Sequence, residues 1–161
     1  MRHALDSLML AFSAIGRAGT IWIAIAVAGA LLRRARATAM WQVGLALLLT
    51  LLVTEGILKP LVHEPRPFVA NPGARVIDQR PSTYSFPSGH ATSSFAAAVS
   101  LARGWPQGTA AWFVLASLIS LSRVYVGVHT PLDVVGGVII GLACGYLAIG
   151  SSRWSPPRRG S

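Results

Sequence analysis

Residues 122–133 read SRVYVGVHTPLD and join two long apolar segments. This stretch places Arg123, His129 and Asp133 where one apolar segment ends and the next begins. Ionisable side chains are rare in membrane-embedded segments, and those that occur there usually have a function. The stretch therefore predicts both a turn between two membrane helices and a candidate functional site.

The composition of the chain indicates an integral membrane protein. Of the 161 residues, 53% are hydrophobic and only 12% are charged, which is more apolar than an ordinary soluble domain. The net charge of +9 could suit nucleic acid, but the arginines lie between apolar blocks and not on a polar basic face. We therefore expect a bilayer as the surroundings, no nucleic-acid partner, and one membrane-embedded domain over residues 1–161.

The apolar blocks predict an all-α bundle of about five membrane spans preceded by a short N-terminal helix, six helices in all. The first block, residues 4–15, is amphipathic and too short to cross a hydrocarbon layer of about 30 Å. We expect it to lie at the interface or to lengthen the next helix. Because Asp6 interrupts this block, we expect no cleavable signal peptide. The predicted spans are residues 18–32, 40–58, 88–102, 109–121 and 131–150.

Prolines separate the second span from the third. Residues 60–87 carry prolines at both ends and at several positions between, which predicts a loop outside the hydrocarbon. His63 is interpreted as an ordinary loop residue. Arg75, Asp78 and Arg80 could touch a lipid head group, but solvated loop charges are the simpler interpretation.

The alternating direction of the spans divides the charged residues between two ends of the bundle. Because Lys and Arg are retained on the inner side of membranes, we expect the more basic end to face the cytoplasm, together with the C-terminal tail, residues 151–161. That end collects Arg33, Arg34, Arg36, Arg103, Arg153, Arg158 and Arg159. The extracytoplasmic end collects Lys59, His63, Arg66, Ser88, His90, Arg123, His129 and Asp133.

Cations and imidazoles at one end predict a phosphate site. A phosphate ester carries up to about two negative charges, which arginine binds through its planar fork and lysine as a point charge. Lys59, Arg66 and Arg123 suit this task. Ser88 is predicted to be the N-cap of the third span, and Gly89 would let the backbone approach the anion. Unpaired N–H groups at that helix start would add donors.

The spacing of His129 and Asp133 predicts an oriented histidine. Thr130 resembles an N-cap followed by Pro131 at the first helical position, so Asp133 would stand one turn from His129. A carboxylate bonded to one imidazole nitrogen selects the tautomer and leaves the other nitrogen available to attack phosphorus. His90 would then be available to protonate the leaving oxygen.

Taken in order, the clusters resemble the three-part signature of the type 2 phosphatidic acid phosphatase superfamily. The members that span membranes are lipid phosphate phosphatases, and the site is shared with vanadium haloperoxidases, which normally have a soluble scaffold. The resemblance covers residues 59–133, about half of the chain. Its three parts are Lys59 with Arg66-Pro67, Pro-Ser-Gly-His at 87–90, and Ser122-Arg123 with His129 and Asp133.

The resemblance implies a role for each matching residue. His129 would be the nucleophile that forms a phosphohistidine, Asp133 would orient it, and His90 would be the general acid. No metal and no other cofactor is implied. Many membrane members have six spans, whereas here the first is reduced to residues 4–15. The phosphoryl oxygens would be held by Lys59, Arg66, Ser88, Gly89 and Arg123.

The substrate is expected to be a lipid phosphate. Polyprenyl (undecaprenyl or decaprenyl) phosphate or pyrophosphate is the first choice, since small bacterial members and an outward-facing site fit the recycling of such carriers in the cell membrane. Phosphatidic acid and phosphatidylglycerol phosphate are the alternatives. A transporter or a non-catalytic lipid-binding protein is a different class, and the sequence shows no repeated half that would favour a transporter. The oligomeric state is left open.

Helical spacing assigns structural tasks to residues beyond these clusters. Glu55 lies one turn before Lys59, which favours an ion pair that supports the lysine over direct catalysis. Gly137, Gly141 and Gly145 form a row with a spacing of four, which lets helices approach closely. We expect this row to pack the last span into the bundle, with a dimer interface as the alternative.

Overall fold

A computed structural model describes residues 2–151 of the chain, and over this range it is all-helical. Part of the predicted basic tail, residues 152–161, lies outside the described residues. The π-helical segment Leu52–Leu58 continues the third helix directly into the fourth. The α-helices are α1 (Arg2–Ile15), α2 (Thr20–Leu31), α3 (Ala37–Leu51), α4 (Lys59–Val62), α5 (Pro67–Ala70), α6 (Gly89–Gly104), α7 (Thr109–Tyr125) and α8 (Pro131–Ser151).

By length and composition, three helical runs qualify as membrane spans. They are residues 37–70, 106–125 and 131–150. α1 and α2 meet the same criteria together, with a bend of 51° that fits a broken span or a re-entrant loop. The expectation that the N-terminal block lies at the interface or lengthens the next helix stays a prediction. The break coincides with Ala18 and Gly19, whose φ angles of 54° and 68° lie in the left-handed region and interrupt a right-handed helix.

α6, predicted as the third span, is the centre of the bundle. It packs against α3, α7 and α8, and its 16 residues are shorter than a bilayer requires. Small side chains such as Ala91, Ala97 and Ala98 are fully buried along it, which allows its neighbours to approach. Towards α2 it contributes Ser94, whose hydroxyl accepts a hydrogen bond of 3.1 Å from the indole N–H of buried Trp22.

The glycine row of α8 packs against α6, which confirms the first of the two interpretations. A Cβ atom built on Gly137 would lie 2.8 Å from the carbonyl oxygen of Ser88, and one built on Gly141 would lie 2.4 Å from the carbonyl oxygen of Thr92. Gly145 faces Val99 at a similarly short distance. The backbones therefore meet closely along three turns of α8.

We predict that Gly141→Ala destabilises the protein by about 1–3 kcal/mol, because the added methyl group overpacks a contact with rigid backbone. Gly44→Ala is the matched control, since no described atom outside its own helix lies within 4 Å of a Cβ built there and alanine favours a helix. Thermal unfolding in detergent should show a lower midpoint for Gly141→Ala and an equal or higher midpoint for Gly44→Ala. Equal midpoints for both variants would contradict the close packing.

The two turns that carry the described arginines of the basic end meet at the end of the bundle opposite the predicted site. The amide of Arg36, in the turn between α2 and α3, donates a hydrogen bond of 3.0 Å to the carbonyl of Gly104 at the end of α6. The ring of Trp105 lies against Gly29 near the same turn. Arg103 belongs to the last turn of α6. The segments that carry the described arginines of this end are therefore in contact.

Candidate active site

The connection between α7 and α8 contains a tight turn at Gly127 and places His129, which is buried, just before α8. Gly127 has a φ of 83°, and a Cβ there would lie 2.1 Å from the carbonyl oxygen of Arg75, so only glycine fits this turn. Thr130 is the N-cap of α8: its hydroxyl accepts a hydrogen bond of 3.1 Å from the amide of Asp133. The carboxylate of Asp133 in turn accepts one of 2.7 Å from the Thr130 amide, which is a reciprocal cap.

His129 and Asp133 form the expected oriented pair. Nδ1 of His129 lies 3.2 Å from Oδ2 of Asp133, and the hydroxyl of Ser85 donates to the same oxygen at 2.6 Å. A carboxylate acceptor places the proton on Nδ1 and leaves a lone pair on Nε2. Burial lowers the pKa of His129 to about 4, although the bond to Asp133 acts in the opposite direction. The imidazole is therefore neutral near pH 7, as a nucleophile must be.

Arg66 holds its guanidinium beside the available nitrogen of His129. Its Nη1 donates to the carbonyl of Val128 at 2.9 Å and lies 3.3 Å from Nε2 of His129. Its Nε and Nη2 donate to the backbone oxygen and the hydroxyl of Thr83, at 2.7 and 3.1 Å. A phosphoryl group transferred to Nε2 would therefore lie next to a fixed cation.

Lys59 is buried and paired, as expected. Its Nζ lies 2.6 Å from Oε1 of Glu55 and 3.2 Å from the hydroxyl of Thr83. Thr83 therefore joins the lysine and Arg66 of the first cluster, although a lone threonine in a loop carries no pattern that predicts this. Glu55 lies in the π-helical segment, a geometry that often marks functional sites.

The second cluster forms the start of α6. Ser88 is the N-cap residue by position, but its hydroxyl does not cap the helix. This hydroxyl is buried and has no partner within residues 2–151, so it remains available as a donor. The Ser88 amide donates to the carbonyl of Asp133 at 3.0 Å. Gly89 is the first residue of the helix, and Nε2 of His90 lies 3.2 Å from the carbonyl oxygen of Ser13.

Arg123 is buried, and it is paired with Asp78, a loop residue that the sequence did not assign to the site. Its Nη1 donates to Oδ2 of Asp78 at 2.9 Å and also to the hydroxyl of Ser13. The interpretation of Asp78 as a solvated loop charge was wrong, since its side chain is only 10% exposed. Burial favours the protonated carboxyl, but hydrogen bonds from Ser13 and the Gln79 amide, together with Arg123, hold the pKa of Asp78 below its usual value.

The remaining loop residues are as expected. Arg75 is exposed and pairs with Asp6 at 2.7 Å. Exposed Arg80 lies over the ring of Phe68, 5.4 Å from its centroid. His63 ends α4 with a φ of 54° and lies on the exposed surface.

One cavity of about 460 Å³ brings the clusters together. Ser88 and Asp133 are fully buried and are not among its described lining residues, but Gly89, the neighbour of Ser88, lines it. The cavity has an apolar part and a polar part. The apolar part is lined by Ile23 of α2 and by Leu47, Leu48 and Leu51 of α3. The polar end is lined by Glu55, Lys59, Arg66, Gly89, His90, Arg123 and His129.

Comparison with known proteins identifies the family. The family model described as the PAP2 superfamily matches residues 39–156, well over half of the chain. The chain belongs to the PAP2 superfamily. The resemblance suggested by the three clusters is thereby confirmed, and the family is one of phosphatases.

The relatives of this PAP2 protein include enzymes named for polyprenyl substrates. It is 33% identical over 152 residues to an undecaprenyl-diphosphatase of Sulfolobus acidocaldarius, covering 90% of this chain and 69% of the relative. It is 39% identical over 127 residues to a decaprenylphosphoryl-5-phosphoribose phosphatase of Mycolicibacterium smegmatis, covering 79% and 68%. The fold is similar to the crystal structure of Aquifex aeolicus LpxE, with a TM-score of 0.79, 28% identity, and coverage of 91% and 86%.

Proposed function

We propose that this PAP2 protein removes phosphate from a membrane lipid through a phosphohistidine intermediate. The observation that carries the proposal is one cavity in which Nε2 of His129 lies beside Arg66 while the opposite end is apolar. A phosphate group suits the cationic end, and a lipid chain suits the apolar end. The apolar side chains of Ile23 on α2 and of Leu47, Leu48 and Leu51 on α3 offer the lipid chain a surface while the phosphate reaches His129.

The reaction divides into two displacements. In the first, Nε2 of His129 forms a bond to phosphorus while the bond from phosphorus to the lipid oxygen breaks, and His90 gives a proton to that oxygen. Because burial lowers the pKa of His90, we assign the protonation of His90 to the complex with the anionic substrate, whose charge favours the imidazolium form. In the second, His90 takes a proton from water, the water oxygen bonds to phosphorus, and the bond to His129 breaks. Asp133 stabilises the positive charge on His129 in both steps.

The cationic groups stabilise the charge that develops on the phosphoryl oxygens. We assign Lys59, Arg66 and Arg123 to this task, together with the hydroxyl of Ser88 and the backbone of Gly89. Such groups are most effective when they are already in place before the reaction. The hydrogen bonds that hold Arg66 and Arg123 in this structure support that role.

Polyprenyl phosphate or pyrophosphate is the proposed substrate class. The names of the two relatives above and the apolar end between two helices support it. Phosphatidic acid and phosphatidylglycerol phosphate are the second candidates. We further propose that the protein lies in the cell membrane with its site on the extracytoplasmic face, since the arginine-rich turns lie at the opposite end.

The test offers purified protein in detergent four lipids: polyprenyl pyrophosphate, polyprenyl phosphate, phosphatidic acid and phosphatidylglycerol phosphate, each with a chelator present. We expect phosphate release from a polyprenyl substrate and none with His129→Ala. The intermediate is identified by the stability of the phosphate label on the protein. A phosphohistidine survives base and is lost in acid. Absence of release from all four lipids, or release that survives His129→Ala, would refute the mechanism. A strict need for added divalent metal would count against it.

Orientation is tested separately with single cysteines. In a Cys144→Ala background, Arg34→Cys and Arg75→Cys place a thiol at opposite ends of the bundle. A membrane-impermeant maleimide added to intact cells should label position 75 and leave position 34 unlabelled. Lysis should make both accessible, and the reverse pattern would place the site in the cytoplasm.

The apolar end of the cavity gives a prediction about the lipid chain. Leu48 and Leu51 line the cavity and are 51% and 57% exposed. Leu48→Trp and Leu51→Trp would therefore fill part of its apolar end. We expect KM for polyprenyl phosphate to rise about tenfold, with little change for a short, water-soluble phosphate ester. Val114→Trp, at an exposed position of α7, is the control and should alter neither. An equal loss with both substrates would show that the lipid chain lies elsewhere.

A further inference from the structure

We propose that α1 is a structural part of the active site, in which Ser13 and Gly16, with Asp78 of the loop, are positioning residues for His90 and Arg123. The inference rests on the proposed function, because it assigns tasks within that reaction. Ser13 and Gly16 lie outside the family match, which begins at residue 39. Ser13 is completely buried although it belongs to an otherwise largely exposed helix.

The first contact of α1 orients the ring of His90. Nε2 of His90 lies 3.2 Å from the carbonyl oxygen of Ser13. A carbonyl only accepts hydrogen bonds, so Nε2 carries the proton. A Cβ built on Gly16 would lie 3.0 Å from Cδ2 of His90 and 2.4 Å from Cγ2 of Ile119. The ring edge formed by Cδ2 and Nε2 therefore faces α1.

This orientation determines which nitrogen exchanges protons with the substrate. Nδ1 lies on the side of the ring opposite the Cδ2–Nε2 edge, away from α1. Because His90 lines the cavity, Nδ1 is the nitrogen available to the leaving oxygen. The carbonyl of Ser13 would also stabilise the imidazolium form of His90, as a hydrogen-bond acceptor behind a catalytic histidine does.

The second contact of α1 positions Arg123. The hydroxyl of Ser13 bonds both to Oδ2 of Asp78 and to Nη1 of Arg123, and Asp78 binds that same Nη1 at 2.9 Å. A buried guanidinium needs a paired anion, and Asp78 supplies it on one side only. Nε of Arg123 is buried and, in the part of the chain that the structure describes, has no partner. We assign this N–H to a phosphoryl oxygen.

An ion pair between α1 and the same loop provides a matched control. Asp6 of α1 binds Arg75 at 2.7 Å and accepts a hydrogen bond of 2.9 Å from the hydroxyl of Tyr125. These contacts also hold α1 against the loop and α7, but Arg75 is 60% exposed. Among the described residues, neither member of the pair lines the cavity. Asp6→Asn therefore weakens the attachment of α1 without removing a contact to His90 or Arg123.

The experiment compares Ser13→Ala, Asp78→Asn and Gly16→Ala with Asp6→Asn, using polyprenyl phosphate and p-nitrophenyl phosphate. Ser13→Ala and Asp78→Asn should lower kcat/KM for both esters by about 10- to 100-fold, because both substrates need Arg123. Asp78→Glu should recover part of the loss. Gly16→Ala should lower the rate for the lipid more than for p-nitrophenyl phosphate, because nitrophenolate leaves with little help from a general acid. Asp6→Asn should stay within about twofold of wild type.

Unfolding midpoints are measured for every variant, so that loss of activity can be separated from loss of structure. If Asp78→Asn and Asp6→Asn lose activity equally at equal stability, α1 is only a scaffold and the inference is wrong. If Gly16→Ala slows both esters to the same extent, α1 does not orient His90. Failure of the proposed function itself would show differently: wild-type protein would release no phosphate, or His129→Ala would remain active.

Discussion

Asp133→Asn is expected to lower kcat by about 10³- to 10⁴-fold while the apparent affinity for the lipid changes little, as is found when the carboxylate behind a catalytic histidine becomes an amide. Oδ2 of Asp133 accepts hydrogen bonds from Nδ1 of His129, the hydroxyl of Ser85 and the amide of Thr130. An amide nitrogen at this position would face three donors. An amide oxygen there would keep the bonds but would lose the negative charge. That charge stabilises the positive charge that His129 carries while Nε2 is phosphorylated.

Single-turnover labelling together with steady-state kinetics measures this effect on both displacements. Ser85→Ala is the control, because it removes one donor to the carboxylate and leaves the charge in place. A single hydrogen bond to a charged group contributes about 1.5–3 kcal/mol, so its loss should slow the reaction by much less than Asp133→Asn does. Activity of Asp133→Asn within tenfold of wild type would show that this carboxylate is not needed behind His129.

Arg66 is expected to show the second large effect, with Arg66→Ala and Arg66→Lys both lowering kcat/KM by about 10²–10³-fold. Its guanidinium donates to Thr83 and to the carbonyl of Val128, and it lies 3.3 Å from Nε2 of His129. Lysine has neither the planar fork nor enough donors to replace these contacts while binding a phosphoryl oxygen. Retention of charge alone should therefore not restore activity.

Arg80→Ala and Arg80→Lys are the matched controls for this pair. Arg80 is an exposed arginine of the same loop, and its side chain lies over the ring of Phe68. Replacing it should alter kcat/KM by less than about twofold if the loop charges as such are unimportant. Full activity of Arg66→Lys, or equal losses at positions 66 and 80, would show that general positive charge and not the geometry of Arg66 is required.

The helices could be predicted because long apolar blocks alternate with prolines and arginines, and this pattern reflects burial in lipid. The break at Ala18 and Gly19 was not predicted, since an alanine with positive φ has no signal in the sequence. The central position of α6 was also hidden. Its alanines and serines make it less hydrophobic than a lipid-facing span, and small side chains become favourable only when neighbouring backbones approach them.

The sequence by itself determined which groups we propose for the chemistry, because the spacing within each cluster is local. His129 and Asp133 are one helical turn apart, as are Glu55 and Lys59, and such contacts follow from the geometry of a helix. Tertiary structure alone decided how Arg66 and Arg123 are held. Ser13, Asp78 and Arg123 are far apart in the chain, and they meet because α1 and the loop pack against α7 in the folded protein. Contacts of that kind depend on packing between helices, which leaves no periodic pattern in the sequence.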